Sequence, residues 1–491
     1  MNVTGWSRGL EVTGGGSGVV SHAGLVLLRL LADRTGLTGG LSRVLGCPPG
    51  GHDRGRVAAD LACAIADGGR VISDLRVLGD QRELFGPVAS VPTAWRCLRE
   101  IAAGGERTRC ALAGAVNRSR RHAWAQAPLP PVRVADKLLA GVACIRLDAT
   151  LTVAHSGKEL AEPNIKGFGF HPLLAECDNT GEPLAWMFRA GGTGPNTVAD
   201  HLVVLGEAIA ALPPRHRRKI AVTVDGAGAS HGLAAELDRL AARRGYQVTW
   251  SVGWALGGRE KAALRQVRED AWQAAIDGRG EVRERRADGA CPSPRCAHAA
   301  CWIQEAHVAE LTALLRAAPG GDQLRGWPAA MRIFARRERP HPGRQLSLFE
   351  AEHGWGYSLW ATNRPAATRG WLGQPAYIDA FHRVRARVED VIRTSKDTGL
   401  GHFPCHDAAA NEAWLTLAMT GAILLAWLKL TALDGDLARA EPKTLRYKIL
   451  HTAARLVRGG RRTQVKIAAT WPWADAITTA WQRIKAIPHA P

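Results

Sequence analysis

Residues 141–152 read GVACIRLDATLT and residues 219–230 read KIAVTVDGAGAS. Each is a short apolar run of the kind that forms a fully buried strand, and each ends in an acid, Asp148 or Asp225. Small residues follow both acids and leave room beside the carboxylates. Between the two lie PLLAECDNTGEPLAWMF (172–188), two apolar runs around a D-N-T-G turn that predict a hairpin, and TVADHLVVLGEAIAAL (197–212), an amphipathic helix. After the second acid, HGLAAELDRLAARRG (231–245) reads as helix and YQVTWSVGWA (246–255) as strand. The order strand, strand, strand, helix, strand, helix, strand defines an α/β layer class.

The flanking regions differ in character. Residues 1–135 read as helical, with Pro92 where a helix starts and Trp95, Leu98 and Ile101 at three-residue spacing. A helix-turn-helix DNA-binding unit and a plain helical bundle fit that pattern equally. The Pro-rich QAPLPPVR (126–133) marks a boundary. From 256 to 372 the alternation is lost, and MRIFARRERPHPGRQLSLFEAEHGWGYSLWATNRP predicts β-hairpins. Residues 373–435 hold two helices, the second (413–430) apolar enough for a core helix, and 436–491 form a basic C-terminal region read as helical.

The 491 residues carry a formal net charge of +19, which favours a polyanionic partner because bound Lys and Arg release counterions from phosphates. Basic clusters recur at 117–122, 215–219, 335–344 and 455–462, spacing that an extended polyanion would match. The N-terminal residues lack the apolar segment of a signal peptide, and ten cysteines then imply reduced thiols, so a cytoplasmic location is expected. Cys291, Cys296, His298 and Cys301 supply enough ligands for one zinc ion, but the absence of a paired knuckle favours the reading as incidental residues of a loop. Ser230, His231 and His155 lie near the acids, but no nucleophile elbow precedes Ser230, which argues against a Ser/His hydrolase.

A further acid lies in HRVRARVEDVIRTSKDTGLGHFP (382–404). On a continuous α-helix at ~100° per residue, His382, Arg385, Glu389 and Lys396 share one stripe at the edge of an apolar face. The bland reading is an i,i+4 ion pair between Arg385 and Glu389. The alternative brings Glu389 against Asp148 and Asp225, where clustered carboxylates need a cation, and oxygen-only ligands suit Mg²⁺ or Mn²⁺.

The chain resembles bacterial insertion-sequence transposases of the DDE class with a ribonuclease-H-like core, and within them insertion-sequence family 1380. The resemblance lies in LDATLTVAHSGKE with KGFGFHPLLA (147–175), GGTGPNTVADH (191–201), VTVDGAGASH (222–231), RGWPAAMRIFARRERPHPG (325–343), residues 382–404, and DGGRVISDLRVLGDQRELFGPVASVPTAWR (67–96). It implies a mixed-sheet core carrying a β-rich insertion, with Asp148, Asp225 and Glu389 holding two Mg²⁺ ions. It also implies cut-and-paste chemistry, in which transposon ends are cleaved and a 3′-hydroxyl is joined to target DNA by a homodimer on paired ends. The wider group's signature Y-x2-R-x3-E-x6-K is met by Arg385, Glu389 and Lys396, with His382 in place of the tyrosine; all but the glutamate are expected at DNA phosphates. In the insertion, Arg336, Arg337 and Arg339 would track the backbone, and Trp355, Tyr357 or Trp360 would stack on a base. A rival from another class is a catalytically silent, transposon-derived DNA-binding regulator; a third is a ribonuclease-H-like nuclease outside transposition.

Overall fold

The computed structural model describes residues 9–194, 197–283, 305–319, 321–340, 343–365 and 370–490. The Cys291, Cys296, His298 and Cys301 cluster lies outside the described residues. The chain forms two compact units, neither continuous in sequence. One comprises residues 116–396 and 400–415; the other comprises residues 1–115, 397–399 and 416–491.

The first unit is built on a nine-stranded mixed sheet. Its first strand in sequence is β1 (Ala143–Ala149), followed by the antiparallel β2 (Leu173–Cys177) and β3 (Glu182–Met187). The D-N-T-G turn closes this hairpin, with Gly181 at φ 65° and its N–H donating to Cys177 O. Helix α1 (Val198–Ala211) leads to β4 (Lys219–Val224), and α2 (His231–Ala241) leads to β5 (Gln247–Trp254). Both β4 and β5 run parallel to β1. Ser230 caps α2 by accepting from Leu233 N, and Leu233, Leu237 and Leu240 of that helix are buried at helical spacing.

The strands expected in the insertion are β6 (Gln273–Ala274), β7 (Ala306–Glu310), β8 (Arg332–Glu338) and β9 (Gly356–Thr362). They form no separate layer. Strand β9 pairs antiparallel with β5, so the spatial order runs β6-β7-β8-β9-β5-β4-β1-β2-β3. The insertion thus extends the core sheet at an edge that would otherwise present unpaired backbone groups.

The helix anticipated over residues 382–396 is not continuous. Helix α3 (Pro375–Arg383), with proline in its first turn, passes into a 3-10 segment at Val384–Ala386 before α4 (Arg387–Ser395). Backbone ψ near −18° at Val384, Ala386 and Arg387 marks the tighter winding. Three residues per turn instead of 3.6 shift the phase of every later side chain by tens of degrees. The stripe drawn on a single α-helix is therefore not preserved.

The second unit contains the predicted N-terminal helices. In Val91–Ala103, with Pro92 at its start, Leu98 and Ile101 are buried while Trp95 is exposed. The apolar helix spans Ala408–Ala432, of which the residues from 416 onward belong to this unit; it is long and apolar enough to cross a membrane by length and composition alone, but it is mostly buried in the protein. The C-terminal region is not wholly helical: Ala454–Gly459 and Arg462–Ile467 form a hairpin that pairs with Val19–Val20. Both central turn residues, Gly460 and Arg461, have positive φ, the type I′ geometry that matches strand twist. The arginines of RLVRGGRR mask the strand alternation in the sequence, because charged side chains stand at the solvent-facing positions of the hairpin.

Candidate active site

Val224 of β4 pairs with Leu147 of β1 in parallel register, so Asp225 and Asp148 leave the same end of neighbouring strands side by side. Strands lie about 4.8 Å apart, which sets the scale of their separation. Asp148 Oδ1 accepts from Ala149 N at 2.8 Å, and Asp225 Oδ1 accepts from Gly226 N at 2.6 Å. Burial pushes the Asp148 carboxyl up to about 6, and the charge of Asp225 adds to the rise. Both acids line a cleft of about 490 Å³ with Asn164, Lys166, His171 and His201.

The two histidines were not anticipated, although they lie in the segments KGFGFHPLLA and GGTGPNTVADH. His171 Nδ1 lies 2.9 Å from Thr193 O, and His201 Nδ1 lies 3.0 Å from Thr197 O. A carbonyl can only accept, so each Nδ1 carries the proton and each Nε2 keeps its lone pair. Burial lowers both pKa values and keeps the rings neutral.

The flanking helix brings some of its expected residues here. Arg385 is ion-paired with Asp225 rather than with Glu389. Lys396 Nζ donates to Leu151 O at 2.9 Å, and it senses the charges of Lys166 and Asp148 while burial lowers its pKa. Glu389 is exposed on α4; among the described residues it does not join the two aspartates within 4.8 Å. Asp148 and Asp225 thus line the cleft, Arg385 and Lys396 interact with them from outside that lining, and Glu389 does neither.

His382 departs from its expected place at a phosphate. It is 4% exposed, its ring stacks on Trp360 with centroids 5.0 Å apart, and its Nδ1 lies 2.8 Å from Ser251 Oγ. Burial drives its pKa well below the ordinary value, so it is a neutral core residue. Trp360 is likewise fully buried, between Phe334 and His382.

The insertion arginines face inward more than expected. Arg336 is buried and paired with Asp379 at 2.7 Å and Glu338 at 3.1 Å. Arg337 points to the other face of β8, where it pairs with Glu269 and lies over the rings of Trp272 and Trp355. Arg339 remains partly exposed, 3.9 Å over Trp355 and paired with Glu305. Trp355 thus carries arginines on its ring, and Tyr357 packs against Phe349 and Trp272. Ser230 Oγ caps α2, and His231 stacks on Trp327, so neither is arranged as a nucleophile and its base.

The family profile Transposase DDE domain group 1 matches residues 4–489. The chain belongs to this family of DDE transposases. No curated protein matches it. Among solved structures, it is similar to a piggyBac transposase synaptic complex with hairpin DNA, determined by cryo-electron microscopy. That similarity has a TM-score of 0.39 and 11% identity, covering 95% of this chain and 85% of the other.

Proposed function

We propose that this transposase cleaves the ends of a mobile DNA element and joins the freed 3′-hydroxyl to target DNA, with Asp148 and Asp225 as the centre of its active site. The observation that carries this reading is their placement: two aspartates at the same end of adjacent parallel strands, one with its carboxyl raised to about 6. The spatial order β3-β2-β1-β4-β5, with an antiparallel meander and two parallel strands, supports a ribonuclease-H-like core.

The donor set suits hard divalent cations, Mg²⁺ or Mn²⁺, because adjacent carboxylates in a partly buried cleft repel one another until a cation neutralises them. Asp148 and Asp225 would hold the ions; Glu389 enters as the third acid on the family resemblance alone, since here it is exposed and outside the cleft lining. When bound, two such ions activate water and stabilise the leaving oxygen of a phosphodiester. Arg385 balances the charge of Asp225 and becomes available to a phosphate when that partner binds a cation instead. Lys396 adds positive charge beside the cleft. The neutral His171 and His201 offer acceptor nitrogens to the ions or to a water.

The reading extends to double-stranded DNA as partner, a homodimer on paired ends, a bacterial insertion sequence of family 1380 as source, and a cytoplasmic, nucleoid-associated location. The test incubates full-length protein with DNA of the element's ends and Mg²⁺. Nicking at the element boundary that is lost in Asp148→Ala, Asp225→Ala and Glu389→Ala supports it. Specific DNA binding without nicking in the wild type would favour the silent regulator.

A further inference from the structure

A second cluster of ligating side chains lies in the other unit, made by His22, Asp67 and His451. One donor atom from each lies within 4.8 Å of the others, the only such trio among the described residues. Asp67 stands at the C-terminal end of the helix Arg54–Ala66 and its side chain is 4% exposed. His22 Nδ1 lies 2.6 Å from its Oδ2. His451 Nε2 lies 3.0 Å from the Asp67 backbone carbonyl and 3.2 Å from Oδ1. Asp67 Oδ1 is buried and makes no hydrogen bond of good geometry, its nearest partner being the His451 ring at that ion-pair distance.

That oxygen sits where a negative charge is disfavoured. The carbonyls at a helix C-terminus already give a partial negative potential, so a buried carboxylate there calls for a cation, either a protonated imidazole of this cluster or a metal ion held by it. Arg446 is close, but its guanidinium is engaged with the backbone carbonyls of Ala66 and Asp397. The two imidazoles lie with centroids 4.1 Å apart, converging on the same carboxylate.

The backbone holds this convergence in place. Ala23 N donates to Thr452 O at 2.9 Å, and a Cβ at Gly24 would fall 1.9 Å from Ile449 O. The segments carrying His22 and His451 are thus locked together by close backbone approach. His22 itself occupies the left-handed region (φ 50°), a conformation uncommon for a residue with a side chain.

We infer that His22, Asp67 and His451 form a binding site for a divalent transition ion of the zinc class. Two imidazole nitrogens and a carboxylate oxygen are donors that Zn²⁺ or Co²⁺ accepts, with a fourth position left for water. Its role is to clamp the two chain segments and the end of the Arg54–Ala66 helix to one another. It is independent of the Mg²⁺ centre proposed for Asp148 and Asp225.

The test titrates metal-stripped full-length protein with Co²⁺ and records visible absorption, then repeats with Zn²⁺ while following Tm. The expected result is one Co²⁺ per chain with tetrahedral ligand-field bands, no sulfur charge transfer from this site, and a rise in Tm of a few degrees with Zn²⁺. Both signals should disappear in His22→Gln and His451→Gln and persist in Asp148→Asn, which separates this site from the catalytic one. Bands undiminished by either histidine substitution, or none in the wild type, overturn the proposal. If the variants fail to fold, zinc-edge X-ray absorption on the wild type decides: an imidazole-containing nitrogen and oxygen shell supports the site, and a shell lacking imidazole overturns it.

Discussion

Arg385 is ion-paired with Asp225, although Glu389 lies four residues further along its own chain segment. A guanidinium and a divalent cation compete for the same carboxylate. Arg385→Gln is therefore expected to tighten Mn²⁺ binding several-fold while weakening DNA cleavage, because in the proposed function the released arginine would serve a phosphate. Calorimetric titration of Mn²⁺ into both proteins measures the first effect; equal or weaker binding by the variant would count against the competition.

Asp148 is the more buried of the two aspartates, and its substitution should remove catalysis without removing DNA. For Asp148→Ala, nicking is expected to fall on the order of 100-fold or more, the scale of losing one charge-stabilising group. Affinity for end DNA should stay within about threefold, since the net charge of +19 dominates a salt-dependent interaction. Parallel cleavage and gel-shift assays separate the two, and a matching loss of binding would contradict the assignment.

Glu176 makes a pH prediction of its own. It is fully buried on β2; Ser395 Oγ donates to its Oε1 at 3.3 Å, while Oε2 has no partner. Burial pushes its carboxyl up to about 8 from an ordinary value of 4.5. Below pH 4.5 both folded and unfolded chains carry the proton, and the group contributes nothing. As pH rises towards 8 the unfolded chain ionises first, so folding stability falls, by up to about 1.4 kcal/mol per pH unit. Glu176→Gln lacks that loss, and its stability advantage in urea unfolding should grow steadily between about pH 5 and 8. A pH-independent difference would show that the carboxyl ionises normally.

His382 packs as a core residue. His382→Ala removes the stack on Trp360 and leaves Ser251 Oγ without its ring partner, at a cost of about 2–3 kcal/mol. The affinity of the folded fraction for DNA should be unchanged. A selective loss of DNA binding with normal stability would return the residue to the phosphate surface.

The strands bearing Asp148 and Asp225, the hairpin between them and both connecting helices were legible because each is specified locally, by burial pattern and turn chemistry. The observed β4 and β5 lie within the segments read as strands, and the parallel register then places the acids together without further information. The 3-10 break at Val384–Ala386 was not legible: no proline or glycine marks it, and the tight turn accompanies contacts of Asp379 and His382 with residues far away in sequence. The same limit explains Arg336, whose partner Asp379 lies 43 residues along the chain. Charge identifies an arginine; only tertiary contacts reveal whether its neighbour is a phosphate or an acid. His171 and His201 stood in segments already singled out, but nothing local distinguishes a histidine lining a cleft from one in the core.

The pairing of Val19–Val20 with Ala454–Gly459 has a consequence for biosynthesis. More than four hundred residues separate the partners, so this sheet cannot exist until the chain has been made through the Ala454–Gly459 strand. The strands β1 to β9 are all made earlier, while Val20 and Ala23 wait without the Ala454 and Leu456 that bury them. A nascent chain released too soon would have all the strands that bear its aspartates, yet leave one small apolar cluster open to aggregation or proteolysis.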